Sequence, residues 1–283
     1  MLVSRMSERD GLHGVASAGV TGVDLGPLRN GLGSLTNLEL LLRSIKVGQK
    51  GLFAAVTAVH ADCAPMISSA EALRQSLVAR GVDSNCALRL CDSLVGNLKA
   101  LEGELSRTVN SGRLSVAARL ELEGEIARAA RELRGALPLA ALLDRATRKK
   151  PMELTPVELI HAASAEGSDP DAVTVRVEGA DAESSEGLGI DLDAAKLLVA
   201  VGVALVIQGQ PEQMASVRFA GSEPGAMMTT IERGGASGHL VRLAAPRVVE
   251  PTLLCARVAI ERLGGSLEYS ATERRARIFW PLS

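Results

Sequence analysis

The segment Ala256-Arg-Val-Ala-Ile-Glu-Arg-Leu-Gly-Gly-Ser-Leu-Glu-Tyr-Ser270, continued by Arg275-Ala-Arg-Ile-Phe-Trp-Pro-Leu282, decides the fold of the second half of this chain. A helix over about 250–263 ends at Gly264-Gly265, where glycine can take the left-handed backbone that closes a helix. The runs 266–271 and 275–281 then predict a closing hairpin. Working back from it, 214–220, 226–233 and 238–243 read as further strands. Asp191–Gln208 is apolar nearly all round, the pattern of a buried helix. Ala172–Val177 alternates like a half-buried strand, and Thr155-Pro156-Val157-Glu158 carries a capping box with Pro at the first helical position, opening a helix at about 156–165. Helices alternating with an antiparallel or mixed sheet predict a two-layer α/β sandwich over 151–283.

The texture changes at Lys150–Pro151. Before it, Leu, Ala, Arg and Glu dominate, and apolar residues recur at helical spacing. Leu32, Leu35, Leu38, Leu42 and Ile45 form one stripe. Leu122, Ile126, Ala130, Leu133 and Leu137 form another. Segments 51–80 and 84–109 also read as helices, separated by Ala79–Asp83, with a second break at Asn110-Ser111-Gly112; Pro65 and Pro138 should kink or interrupt a helix locally. The fold class expected is therefore α+β: a helical hairpin or four-helix-bundle domain over 25–150, preceded by a Gly/Ser-rich flexible lead-in over 1–24, then the sandwich. The two leucine stripes can pack on each other within one chain or on those of a second copy.

Composition excludes several functions. The 283 residues carry 31 Lys+Arg against 33 Asp+Glu, so no global field attracts nucleic acid. Aromatic residues make up only 2%, too few for a base-stacking surface. The first residues lack a secretory pattern, and the longest apolar run, Leu197–Ile207, is far short of a membrane span. The chain is expected to be cytoplasmic, with no membrane partner. Cys63, Cys86, Cys91 and Cys255 form no CxxC pair and His13, His60, His161 and His239 are scattered, so no metal site, cofactor or disulfide framework is expected.

The tail quoted above resembles the end of the ATPase domain of sensor histidine kinases. Leu25-Gly-Pro-Leu-Arg-Asn-Gly-Leu-Gly-Ser-Leu35 is similar to that family's H-box, His-Glu-Leu-Arg-Asn-Pro-Leu followed by small residues. Leu142-Leu-Asp-Arg-Ala-Thr-Arg-Lys-Lys-Pro-Met-Glu-Leu-Thr-Pro-Val-Glu-Leu159 is similar to the end of its second dimerisation helix and the following link. The resemblance implies a homodimeric bundle with Leu35, Leu38, Leu42, Ile126, Leu133 and Leu137 at the interface. It also implies a surface around Leu28, Arg29 and Asn30 that docks response-regulator receiver domains. About 125 residues separate Gly26 from Lys150, twice what such a hairpin needs. Either both helices are lengthened or 51–109 is an extra helical pair.

The departures from the pattern are as telling. Gly26 stands where the phosphoacceptor histidine belongs, and glycine supplies no nucleophile. The family's magnesium-holding Asn sits on the helix that here runs through 191–208, yet no Asn follows Asn110. Its adenine-reading Asp should fall near 221–235, yet no Asp follows Asp193. Glu250-Pro251-Thr252-Leu253 replaces the Gly-rich lid, and Glu250 would repel a triphosphate. These losses predict a non-catalytic signalling adaptor that binds a response regulator or another protein without ATP. The alternative is a histidine phosphotransferase relaying phosphate through His60, the only histidine in the helical half, with Asp62 nearby. Gly234–Gly238 reads as a turn between strands, and Ser184-Ser185 as part of an acidic surface loop.

Overall fold

The computed structural model describes residues 24–44, 49–148, 155–164, 172–179, 191–208, 214–223, 226–235, 238–244 and 251–280. The lead-in, the Lys150–Pro151 boundary and the Ser184-Ser185 loop lie outside them, apart from Asp24 at the end of the lead-in.

Four helices form the first half: α1 (Gly26–Arg43), α2 (Gln49–Ala79), α3 (Ser84–Ser111) and α4 (Val116–Arg148). Their ends follow local chemistry. The Asp83 carboxylate accepts from the Cys86 N–H and starts α3. Gly112, at φ 63, ends it in the left-handed region. Pro65 and Pro138 lie inside α2 and α4, which continue through them rather than breaking. Each helix packs on the next, and α4 packs back on α1, so the ring closes within one chain. Segment 51–109 lies within α2 and α3, two of the four walls of this ring. Outside the ring, exposed pairs such as Lys99–Glu71 at 2.9 Å and Arg43–Glu123 at 3.2 Å join neighbouring helices and contribute little each.

Within one chain, the stripes expected at a dimer interface are already covered. Leu35, Leu38 and Leu42 of α1 and Ile126 and Leu133 of α4 are 0–1% exposed inside a single chain, and Leu137 packs against the same core. The α2–α3 pair supplies the other two walls of the bundle, with Leu32 and Leu137 of the stripes left partly buried. Among the described residues, Lys50–Ala79 alone is long and apolar enough by length and composition to cross a membrane. In the fold its Leu52, Val56, Cys63, Met66, Leu73 and Leu77 are buried in the bundle, while its outer side carries small residues such as Ala54, Ala58, Ala61 and Ser68.

The second half follows the predicted order: α5 (Pro156–Ala163), β1 (Ala172–Glu178), α6 (Leu192–Ile207), β2 (Ala215–Glu223), β3 (Ala226–Arg233), β4 (His239–Ala244), α7 (Thr252–Arg262), β5 (Ser266–Ser270) and β6 (Arg275–Trp280). The six strands form one sheet in the order β4-β1-β2-β3-β6-β5, in which only β1 and β2 run parallel. That pair needs a crossover, and α6 provides it. Both terms of the Thr155/Glu158 capping box are present at α5. Asp191 caps α6 through the Ala194 N–H at 3.0 Å. Gly264 turns at φ 92, and the Gly265 N–H donates to the Ile260 carbonyl at 2.9 Å, setting up the hairpin. The sheet's inner face is lined by Val175, Val217, Ile231 and Ile278, all 0% exposed, against α6. Trp280 Nε1 donates to Thr229 Oγ1 at 2.6 Å, so the largest buried ring also has its polar edge satisfied.

The helical layer of the sandwich packs directly on the bundle: α6 and α7 both lie against α4, and α7 also touches α3. Arg262 donates to the Gly81 carbonyl at 2.6 Å and to the Arg80 carbonyl at 2.7 Å, bridging α7 to the α2–α3 turn. Arg80 in turn pairs with Asp144 of α4 at 2.5 Å. Arg145 of α4 reaches Asp193 of α6 at 2.8 Å. Buried apolar residues of both halves belong to one continuous core.

Candidate functional site

The H-box-like stretch forms the N-terminal half of α1. Leu25 occupies the N-cap without a side-chain bond, Pro27 lies in the first turn, and the Gly26 N–H donates to Asp24 Oδ1 at 2.8 Å. A Cβ on Gly26 would stand 2.8 Å from that same oxygen, so a side chain here requires the Asp24 carboxylate to move. Position 26 thus has no nucleophile, and the atoms nearest to a side chain there belong to the exposed Asp24 carboxylate. The three docking residues named from the sequence separate. Arg29 and Asn30 are exposed, whereas Leu28 is 0% exposed and belongs to the bundle core. Leu28 is therefore removed from the docking surface: on a helix, its position falls on the buried stripe that continues through Leu35, Leu38 and Leu42.

His60 sits on α2 and is half-buried. Gly31 of α1 lies against Met66 of α2. His60 is six residues from Met66, about 9 Å along the axis at 1.5 Å per residue. Ser69 donates to the Asp24 carbonyl at 2.8 Å, which fixes the start of α1 beyond Met66 on the side away from His60. The structure therefore does not bring His60 to the Arg29-Asn30 surface.

In the sandwich, α6 is the helix on which a magnesium-holding side chain was sought. From Leu198 to Ile207 it is buried throughout. Its charged residues are Asp193 and Lys196, and they neutralise each other at 3.3 Å. The Asp193 carboxylate also pairs with Arg145 of the bundle. The sole carboxylate of α6 is thus held by two cations and faces the bundle, an unfavourable setting for a divalent ion. Thr252 of the lid-like stretch is 1% exposed and opens α7, while Glu250 lies outside the described residues. Among the described residues no group of three or more His, Cys, Asp or Glu side chains could hold a metal.

Two arrangements escaped the sequence reading. A cavity of about 510 Å³ lies between α5 and the outer strand β4, lined by Val157, His161, Val177, Gly179, His239 and Val241. It brings together His161 and His239, two of the histidines that are scattered in the sequence. The β4–β1 register pairs His239 with Val177, and His161 stands in the last turn of α5; only the fold makes them neighbours. The second arrangement is Cys86 and Cys255, whose sulfurs stand 3.3 Å apart across the junction of the two halves. Cys86 opens α3 and Cys255 lies in the first turn of α7. Their positions near helix starts were readable, but their contact was not.

The architecture defines a class: a four-helix bundle closed within one chain, seated on the helical layer of a mixed α/β sandwich. No family model matches the chain, and no curated protein matches its sequence. Among solved structures it is similar to the Acinetobacter baumannii histidine kinase AdeS, at 12% identity over 66% of this chain and 94% of that one, with a TM-score of 0.37. It is also similar to the Erythrobacter litoralis EL346 blue-light activated histidine kinase, at 14% identity and a TM-score of 0.29, over 69% of this chain and 60% of that one.

Proposed function

We propose that this chain is a non-catalytic signalling adaptor of histidine-kinase-like design, which docks a response-regulator receiver domain or similar partner and does not bind ATP. The observation that carries the reading is the state of α6. Its only carboxylate, Asp193, is paired with Lys196 and Arg145, and its remaining length is packed between the sheet and the bundle. Glycine at position 26, with Asp24 against it, agrees with a helix that presents a surface rather than a phosphoacceptor. Arg29 and Asn30 stay exposed on α1 and supply the charged and amide contacts of that surface.

The test has two arms. Titration of the full chain with magnesium ATP, followed by calorimetry and by thermal unfolding, is expected to give no saturable heat and no midpoint shift. A saturable response would sink the adaptor reading. Incubation with a phosphorylated receiver domain is expected to leave the chain unlabelled. Label that appears on the chain and is lost in His60→Ala would replace the adaptor with a phosphate relay.

A further inference from the structure

From the contact between Cys86 and Cys255 we infer that the two thiols are an oxidisable pair, which closes under peroxide into a disulfide joining the bundle to the sandwich. The sulfurs stand 3.3 Å apart. A disulfide requires about 2.05 Å, so closure needs a movement of roughly 1.3 Å shared between two helix ends. All four cysteines are free and buried, yet only this pair is in contact among the described residues. Both residues lie in the first turns of helices, with the Cys86 N–H donating to the Asp83 carboxylate at 3.1 Å and the Cys255 N–H to the Pro251 carbonyl at 2.9 Å. The contact between the two sulfurs holds the Cys86 thiol below its ordinary value, while the same contact and burial raise Cys255. The pair is therefore polarised, with Cys86 as the attacking sulfur. Cys63 and Cys91 are pushed up to about 12 by burial and stay protonated.

The chemistry balances with a peroxide as oxidant. The Cys86 thiolate attacks one peroxide oxygen, breaking the O–O bond to give a sulfenic acid and hydroxide. The Cys255 sulfur then attacks the sulfenic sulfur, and hydroxide leaves as water with the Cys255 proton. Hydrogen peroxide is reduced to two waters while two thiols become one disulfide. At rest both sulfurs are 0% exposed, so oxidation proceeds when α7 lifts from α3. The bond, once formed, spans 169 residues and holds that junction shut.

Trypsin places the cysteines on separate peptides: Cys86 on 81–89, Cys91 on 90–99, Cys255 on 248–257 and Cys63 on 51–74. The reduced full-length chain is treated with hydrogen peroxide, remaining thiols are alkylated, and the digest is analysed unreduced by mass spectrometry. The expected result is a linked 81–89/248–257 peptide, absent in Cys255→Ser, with the thermal midpoint of the oxidised wild type raised by roughly 10 °C. The proposal fails if Cys86 and Cys255 both remain alkylatable under conditions that oxidise the urea-unfolded chain. It also fails if Cys86 is linked to Cys91 instead. The linkage is read on the wild type, so it does not depend on a variant folding well.

Discussion

Leu133→Ala distinguishes a bundle closed within one chain from one completed by a second copy. Leu133 is 0% exposed on α4, the helix that closes the ring against α1 and α3. Truncation removes its buried carbons and leaves a cavity that the packed leucines around it can fill only in part. Such changes cost 2–5 kcal/mol in well-packed cores, and about 3 kcal/mol is expected here. For a chain of this size that lowers the thermal midpoint by roughly 6–12 °C. The assay is thermal and urea unfolding of wild type and variant at two protein concentrations tenfold apart, with light scattering on each sample. The intrachain bundle predicts a lower midpoint for the variant and no concentration dependence for either protein. A folding-coupled dimer would instead lose about 1.4 kcal/mol of stability on tenfold dilution. A wild type whose midpoint falls by that amount, and a variant that is monomeric yet no less stable per chain, would refute the intrachain reading.

The thiols of Cys63 and Cys91 are raised from 9.0 to about 12, chiefly by burial. The unfolded chain releases these protons first, so their contribution is complete below about pH 9 and is lost as pH rises toward 12, at about 1.4 kcal/mol per pH unit for each thiol. Urea midpoints under reducing conditions should fall across that window, and fall less in a Cys63→Ala/Cys91→Ala double variant; parallel slopes would refute the assignment. Gly265→Ala should destabilise more than Gly202→Ala. A Cβ at 265 meets the Phe279 carbonyl oxygen at 2.3 Å, and backbone cannot turn aside. At 202 the obstacle is the tip of Ile231 at 2.5 Å, and alanine regains about 1 kcal/mol of helix propensity. The reverse order in urea titrations would refute this account of the two close approaches.

The helices and strands of this protein were legible because their ends carry local chemistry. Thr155, Asp191 and Gly264 each act on neighbours within a few residues, and those are the boundaries that the structure reproduces. The stripes of α1 and α4 were legible as buried faces, but periodicity shows only that a face is covered. It does not say whether the cover is α2 and α3 or a second chain. Leu28 illustrates the limit: a motif placed it beside Arg29 and Asn30, whereas the helical period turned it inward. The Cys86–Cys255 contact and the cavity shared by His161 and His239 depend on residues far apart in the chain. No local rule brings such pairs together, so composition and spacing were silent about both.

The helix α6 is covered on one side by β2, β3 and β6 and on the other by α4 and α7. An element enclosed in this way makes the junction between the halves a poor place to divide the protein. A fragment holding the sandwich alone would display α6 and α7 to water as a contiguous apolar surface, of the kind that drives association and precipitation. A fragment holding the bundle alone would strip the cover from α4 and leave Arg80 and Asp144 at an open edge. Although the chain is built from two architectures, the described halves share one core and are expected to fold as one unit.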